Sequence, residues 1–318
     1  MTRITLNGPM LYVASDYEHR LRCKAVPGAR WNQGVKRWEY PARPEVAAAV
    51  LRAFAGVDVT LDEGAAALLK VFKDGQATAA RTKVIDVQEL SSIPLVKTAP
   101  WSHQLRGYHH LMALLNEHGG AAGLFAAMGV GKTKTLLDVI VNKGFRRILV
   151  VCPLSVVTVW PMEVKRHAAA PLHICTLADG SVAKRSQALQ DAITAADALK
   201  RPLLAVCNYQ AFWREPLAGA ILHGGFICVI YDEGHLLKSP SGVASRFAAR
   251  LAKQVPYRIA ATGTPAPNSP DDLYGLYRAI GALWALGVSS HAEFKAKYMI
   301  LGGYGGHETV GWRDLDDL

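Results

Sequence analysis

The stretch that most constrains this chain is Gly-Leu-Phe-Ala-Ala-Met-Gly-Val-Gly-Lys-Thr-Lys-Thr at residues 123–135. The apolar run 123–127 reads as a buried strand, the residues from Lys132 onward as a helix, and Gly129 and Gly131 lie in the tight loop between them. Glycine accepts positive φ and lets the backbone approach a ligand closely, so successive amide N–H groups can converge on one anion. Met128, Gly129, Val130, Gly131, Lys132, Thr133 and Lys134 then form a cradle for the β- and γ-phosphates of a nucleotide, with the helix N-terminus and the Lys132 ammonium facing the charge. The Thr133 hydroxyl is placed for Mg2+. The general pattern for such loops starts with glycine where this chain has Ala126, and the plain alternative is a glycine-containing turn before a helix.

Half of the 318 residues are hydrophobic, enough for two domains or for one large α/β domain with an appendage. Basic residues outnumber acidic ones, 36 − 26 = +10. Such a charge points to a polyanionic partner, nucleic acid above all; a basic but inert surface is the alternative. Cys23, Cys152, Cys175, Cys207 and Cys228 form no C-x-x-C pair and no zinc spacing, and three of them lie in apolar runs where a thiol packs as a small core residue. Unpaired thiols, no leader-like start and no apolar stretch near about 18 residues lead us to expect a soluble chain with no membrane partner. The expected location is cytoplasmic: nucleoid-associated in a prokaryotic or phage setting, nuclear in a eukaryote.

Residues 1–75 read as a small α+β domain. Short strand-like runs flank Asn7-Gly8-Pro9, a helix is expected over 17–24, a β-hairpin over 27–41 bending at 32–34, and helices over 45–54 and 61–72. In the hairpin Lys36, Trp38 and Tyr40 alternate onto one face and Arg37 onto the other. Aromatic rings beside cations build sequence-blind nucleic-acid surfaces, which makes Trp31, Lys36, Arg37 and Trp38 DNA-binding candidates. The alternative places one of the two tryptophans in the core. Over roughly fifteen residues the pattern Trp31, Lys36, Trp38, Tyr40 resembles the HARP-type accessory domain of annealing helicases. Residues 76–100 lack a sustained period and read as a linker.

From residue 101 to about 290, strand-like and helix-like segments alternate, as in a parallel sheet with helices on both faces. Strands are expected at 123–127, 148–152, 173–176, 203–207, 228–232 and 258–262, and helices at 132–141, 182–196, 243–252 and 270–280. Asn268 or Ser269 is expected to cap the last helix, with Pro270 at its first position. Ile227-Cys-Val-Ile-Tyr-Asp-Glu-Gly-His235 is a hydrophobic strand that delivers two acids to its carboxyl end, the edge where open α/β sheets bind ligands. Asp232 would hold Mg2+ opposite Thr133, and Glu233 would accept a proton from water attacking the γ-phosphate. Taken alone, Asp-Glu after a strand is commonly a solvated turn.

Together these segments resemble the first RecA-like lobe of a superfamily 2 ATPase, specifically of the Swi2/Snf2 family of DNA translocases. The likeness rests on His103-Gln104-Leu-Arg-Gly107, Met128-Gly-Val-Gly-Lys-Thr133, Ile148 to Ser155 with Trp160 and Glu163, Asn208-Tyr209, Asp232-Glu-Gly-His235 and Ala261-Thr-Gly-Thr-Pro265. It implies ATP and Mg2+ as cofactors, adenine contact by Gln104, and DNA-backbone contact by Pro153, Leu154, Ser155, Asn208 and Tyr209. It also implies coupling of the nucleotide edge to the DNA-facing edge through His235, Thr262, Gly263 and Thr264. Gly234 stands where the DEAH box has alanine, and Ala126-Ala127 where the family usually has Asp-Glu.

No Gln-x-x-Gly-Arg-x-x-Arg occurs, and 318 − 264 = 54 residues follow Thr264. Residues 291–318 are therefore expected to begin a connection to a missing second RecA-like lobe, with a helix starting at 312–318 and weak hydrolysis by this chain alone. The resulting expectation is part of a DNA-dependent ATPase that translocates on duplex or forked DNA with little sequence specificity, of the annealing-helicase type. A superfamily 2 RNA helicase lobe and a non-catalytic, nucleotide-gated DNA-binding module are the alternatives.

Overall fold

The computed structural model describes residues 2–26, 28–81, 90–117, 119–302 and 308–314. They divide into two compact units, one comprising Met1–Ala80 with Leu283–Leu318, the other Arg81–Ala282.

The amino-terminal unit is built on strands β1 (Thr2–Asn7), β2 (Met10–Ala14), β3 (Arg30–Asn32), β4 (Arg37–Pro41) and β5 (Val59–Leu61), in the order β3-β4-β2-β1-β5. All neighbours are antiparallel except the β1–β5 pair. Period-two alternation sends Ile4, Leu11, Val13, Trp38 and Tyr40 into the core, and the phenol of Tyr40 donates to the carbonyl of Cys23, 2.9 Å away. Helices α1 (Arg20–Ala25), α2 (Pro44–Ala53) and α3 (Glu63–Arg81) complete it, with Val46, Val50, Leu69 and Phe72 buried. Helix α3 runs past the expected end at 72 and takes up residues 76–81 of the stretch read as linker; residues 82–89 of that stretch lie outside the described residues.

The second unit begins with α4 (Ser102–Glu117) and continues through β6 (Ala121–Phe125), α5 (Lys132–Lys143), β7 (Arg147–Cys152), α6 (Leu154–Val157), α7 (Val159–His167), β8 (His173–Leu177), α8 (Val182–Ala198), β9 (Leu203–Asn208), α9 (Leu217–His223), β10 (Cys228–Asp232), α10 (Val243–Leu251), β11 (Tyr257–Thr262) and α11 (Asp271–Ala279). The six strands form a parallel sheet in the order β6-β11-β10-β7-β9-β8. Every residue of β9 and β10 is buried, as a sheet covered on both faces requires. The expected α/β architecture is therefore the observed one.

Two boundaries differ for local reasons. β6 sits two residues earlier than the expected 123–127, because after Phe125 only the Ala126 amide still pairs with β11, donating to the carbonyl of Thr262 at 3.1 Å. At the start of α11 neither Asn268 nor Ser269 supplies a side-chain cap, and Pro270 occupies the cap position. The Asp272 carboxylate reaches back instead, accepting from the amides of Asn268 (2.8 Å) and Ser269 (3.4 Å). It places a negative charge at the positive end of the helix.

Residues 283–318 belong to the amino-terminal unit. There α12 (His291–Tyr298) is capped by Ser290, whose hydroxyl accepts from the Glu293 amide, and Glu293 pairs with Arg52 of α2. An antiparallel pair, β12 (Met299–Gly302) and β13 (Glu308–Trp312), follows. Trp312 ends a strand where a helix start was expected, and residues 315–318 lie outside the described residues. No helix among the described residues is long and apolar enough to cross a membrane.

Candidate functional site

The carboxyl ends of β6, β11 and β10 lie side by side, and each carries one of the chemical landmarks of the sequence. The loop after β6 turns through Gly129 and Gly131 at φ +78° and +81°, conformations that strain any residue with a Cβ. At 131 the space is closed as well: a Cβ there would lie 2.4 Å from the Gln104 amide nitrogen. Gln104, on α4, braces this loop. Its Nε2 donates to the carbonyl of Val130 (3.1 Å) and its Oε1 accepts from the amide of Trp101 (3.0 Å). The ring nitrogen Nε2 of His103 lies 2.9 Å from the same carbonyl of Val130.

Lys132 opens α5, and its ammonium donates to the carbonyls of Ala126 (3.0 Å) and Ala127 (3.2 Å). These partners are main-chain atoms, so alanines in place of acids leave the lysine anchored in the loop mouth. Thr133 is half-buried in the first turn and Met128 is exposed. Lys134, grouped above with the phosphate cradle, is instead buried and ion-paired with Asp138 one turn on. Two residues of helix rotate it about 200° away from Lys132, into the protein.

Asp232 closes β10 at 6 % exposure. Trp160, fully buried on α7, donates its indole N–H to Asp232 Oδ2 at 3.2 Å, and Tyr209 donates its phenol to the Asp232 carbonyl at 2.9 Å. Burial pushes the Asp232 carboxyl above its ordinary range, while the Trp160 hydrogen bond and the nearby Lys132 charge pull it down. Neither indole nor phenol was legible as a partner of Asp232 in the sequence. Pro161 stands at the third residue of α7, behind the short α6.

Glu233 adopts a left-handed backbone (φ +56°), which turns its side chain off the strand axis toward β11. There the Thr262 hydroxyl donates to Glu233 Oε2 (3.2 Å) and accepts from the Thr264 amide (3.1 Å). His235 Nδ1 lies 2.8 Å from Thr262 Oγ1 and 3.2 Å from Glu233 Oε2. With the one hydroxyl proton of Thr262 directed at Glu233, the Nδ1 of His235 carries the proton that bonds it to both. Gly263 packs against the first loop: a Cβ there would lie 3.4 Å from the Ala126 carbonyl and the Met128 amide. Gly234 has a similar constraint, since a Cβ would meet Leu276 at 3.1 Å and Ala260 at 3.2 Å, which accounts for glycine where the DEAH box has alanine.

After β7, the first turn of α6 presents Leu154 and Ser155 to solvent, with Pro153 half-buried before it. Asn208 and Tyr209 do not join them. Asn208 is buried, accepting from Arg185 (2.9 Å) and donating to Gln210 (2.8 Å), and the Tyr209 phenol is committed to Asp232. In the amino-terminal unit Trp38 is buried at 9 % exposure, whereas Trp31 is 51 % exposed and meets it edge to face. Trp38 is therefore core and, contrary to the sequence expectation, does not face solvent as a DNA contact would. Lys36 lies in the hairpin turn at φ +49° and Arg37 is exposed on the opposite face.

Loop glycines at positive φ, one of them with no room for a Cβ, a lysine that has no acidic hydrogen-bond or ion-pair partner among the described residues, and a buried carboxylate two strands away suit a phosphate chain carrying a divalent cation. The fold and this site define a RecA-like nucleotide-binding lobe. Residues 103–285 match the SNF2-related domain, and the chain belongs to that family, carrying the first lobe of a Swi2/Snf2 ATPase core. It is 29 % identical over 162 residues to the "Probable global transactivator" of Orgyia pseudotsugata multicapsid polyhedrosis virus, covering 50 % of this chain and 30 % of that protein. It is 30 % identical over 181 residues to the "Chromatin structure-remodeling complex subunit snf21" of Schizosaccharomyces pombe, covering 55 % and 14 %. Among solved structures, the Sulfolobus solfataricus SWI2/SNF2 ATPase core in complex with dsDNA shares the fold, with a TM-score of 0.53 at 23 % identity, over 66 % of this chain and 41 % of that one. The chain thus spans less than a third of the length of these two curated relatives.

Proposed function

We propose that this chain is the ATP-binding lobe of a DNA-dependent ATPase that translocates on duplex or forked DNA, in the manner of the annealing helicases. The observation that carries this reading is the Thr262 hydroxyl, which ties the acid after β10 to the end of β11 directly beside the glycine loop. The loop amides and the Lys132 ammonium would hold the nucleotide's phosphates, with Gln104 beside the loop at the adenine end; Thr133 and Asp232 would hold Mg2+. When bound, Mg2+ supplies charge neutralisation on the phosphates. Glu233 takes the role of general base: its carboxylate orients water and accepts its proton, while Thr262 and His235 fix the carboxylate in place. The same two residues, continuing into Gly263 and Thr264, pass the state of the nucleotide edge along the end of β11. Leu154 and Ser155 are the exposed backbone-contact residues on the second unit.

Steady-state hydrolysis with duplex DNA, single strands and RNA tests the reading. Stimulation by DNA over RNA that is abolished in Glu233→Gln supports it. Nucleotide binding with no hydrolysis under any condition would favour a nucleotide-gated binding module and overturn it.

A further inference from the structure

The face of the amino-terminal sheet turned away from its core carries an open hollow of about 680 Å³ lined by Arg3, Thr5, Asn7, Tyr12 and Arg37, with Leu6 and Val35 adding apolar surface. The strand register explains why it is hollow. Arg3 of β1 pairs with Ala14 of β2, and the β2–β4 register (Val13 to Trp38), continued by one residue, sets Arg37 on the other side of Ala14. A methyl group thus separates two arginines whose Cα atoms stand two strand spacings apart, about 10 Å. In the next row Thr5, Tyr12 and Glu39 line up, so the half-buried ring of Tyr12 lies diagonal to both guanidinium groups.

The charges are unbalanced. Among the described residues neither the Arg3 nor the Arg37 side chain has a hydrogen-bond or ion-pair partner. Arg30 adds a third cation opposite Glu39, and the Glu39 carboxylate, the acid within these rows, is engaged by the Asn32 amide. The exposed tryptophan does not contribute, because Trp31 stacks edge-on against Trp38 on the other side of the sheet. Unpaired guanidinium groups on either side of an aromatic ring match a chain of phosphates with an accessible base between them. A duplex hides its base faces, so the ring selects the unpaired form.

We propose that this hollow binds single-stranded nucleic acid, with Arg3 and Arg37 each holding a phosphate and Tyr12 stacking on a base between them. This site rests on reading the amino-terminal unit as a DNA-binding appendage of the ATPase, and it moves the contact from the hairpin tryptophans to the sheet face. The full chain, titrated with a fluorescein-labelled oligothymidylate of about 16 nucleotides and followed by anisotropy, provides the test. Tyr12→Ala should weaken binding about 5- to 150-fold, Tyr12→Phe should restore it, and Trp31→Ala should leave it unchanged. Arg3→Gln with Arg37→Gln should reduce the slope of log affinity against log salt by about 1.4, two phosphates at about 0.7 each.

Photocrosslinking the same oligonucleotide carrying 4-thiothymidine should place adducts within residues 2–14, with the wild-type melting temperature retained in every variant. Wild-type affinity in Tyr12→Ala and in the arginine pair, or adducts confined to residues 101–282, would overturn the proposal. So would an equal loss for a blunt duplex, which would put a backbone, not a base, over Tyr12. Hydrolysis stimulated by duplex DNA and abolished by Glu233→Gln would survive any of these outcomes, so failure of this site is distinguishable from failure of the ATPase reading.

Discussion

Replacing Trp160 by phenylalanine keeps an aromatic ring on α7 and deletes one hydrogen-bond donor. That donor serves Asp232 Oδ2 at 3.2 Å in a site where tryptophan is fully buried and the acid is 6 % exposed, so water does not substitute freely. A hydrogen bond to a charged group in such a place contributes about 1.5–3 kcal/mol. The smaller ring also loses packing, and a double-mutant cycle with Asp232→Ala separates the two effects. Urea unfolding followed by circular dichroism at pH 8, without nucleotide, should give a coupling of about 1.5–3 kcal/mol between the two positions. Because a residue that orients a metal ligand typically affects metal affinity about 10- to 100-fold, the Mg2+ concentration needed to tighten binding of a fluorescent ATP analogue should rise by that factor in Trp160→Phe. Binding of the analogue without Mg2+ should stay the same. Additivity within about 0.5 kcal/mol, together with an unchanged Mg2+ requirement, would refute the claim that the indole sets the carboxylate.

Trp38→Ala should destabilise the amino-terminal unit by about 3–5 kcal/mol, seen as a lowered melting transition, because the ring is core; an unshifted transition would return it to the surface. Gly234→Ala, which restores the family's alanine, should cost about 0.5–2 kcal/mol in urea unfolding, since the added methyl meets Leu276 and Ala260 at 3.1 and 3.2 Å and the gain from a stiffer unfolded chain only partly offsets that. Burial holds the His110 imidazole below its ordinary range, against its bond to the Gly123 carbonyl. As pH falls below about 6.5 the unfolded chain takes up that proton first and stability drops. His110→Gln should therefore flatten melting temperature against pH between about 7 and 5, and an unaltered profile would exclude His110 as the source.

The parts of the fold that were legible in the sequence are those written in continuous patterns. The ends of β10 are legible because four apolar residues, Cys228 to Tyr231, run straight into two acids. The paired landmarks, a glycine loop and a strand-ending acid, were likewise visible, since both depend on local backbone demands. What the sequence hid was direction. Lys134 lies two residues from Lys132, yet helical rotation carries it to Asp138 in the interior. Asn208 and Tyr209 occupy the expected strand end but turn inward, and nothing local in Tyr209 reveals a partner 23 residues away. The bond of Trp160 to Asp232 spans 72 residues of sequence and emerges only once α7 is packed. The same holds for residues 283–318, whose place in the amino-terminal unit involves Arg52 and Glu293, 241 residues apart.

Calorimetric titration of Mg-ATP into the wild-type chain and into Lys132→Ala asks whether the loop after β6 holds the phosphates of ATP. Among the described residues the Lys132 ammonium bonds only to the carbonyls of its own loop, so its loss should leave the melting temperature within about 2 °C of wild type. A phosphate-holding loop should give saturable binding to the wild-type chain at one site and loss of most affinity, at least about tenfold, in the variant. Equal affinity in the two proteins, with both folded, would contradict it.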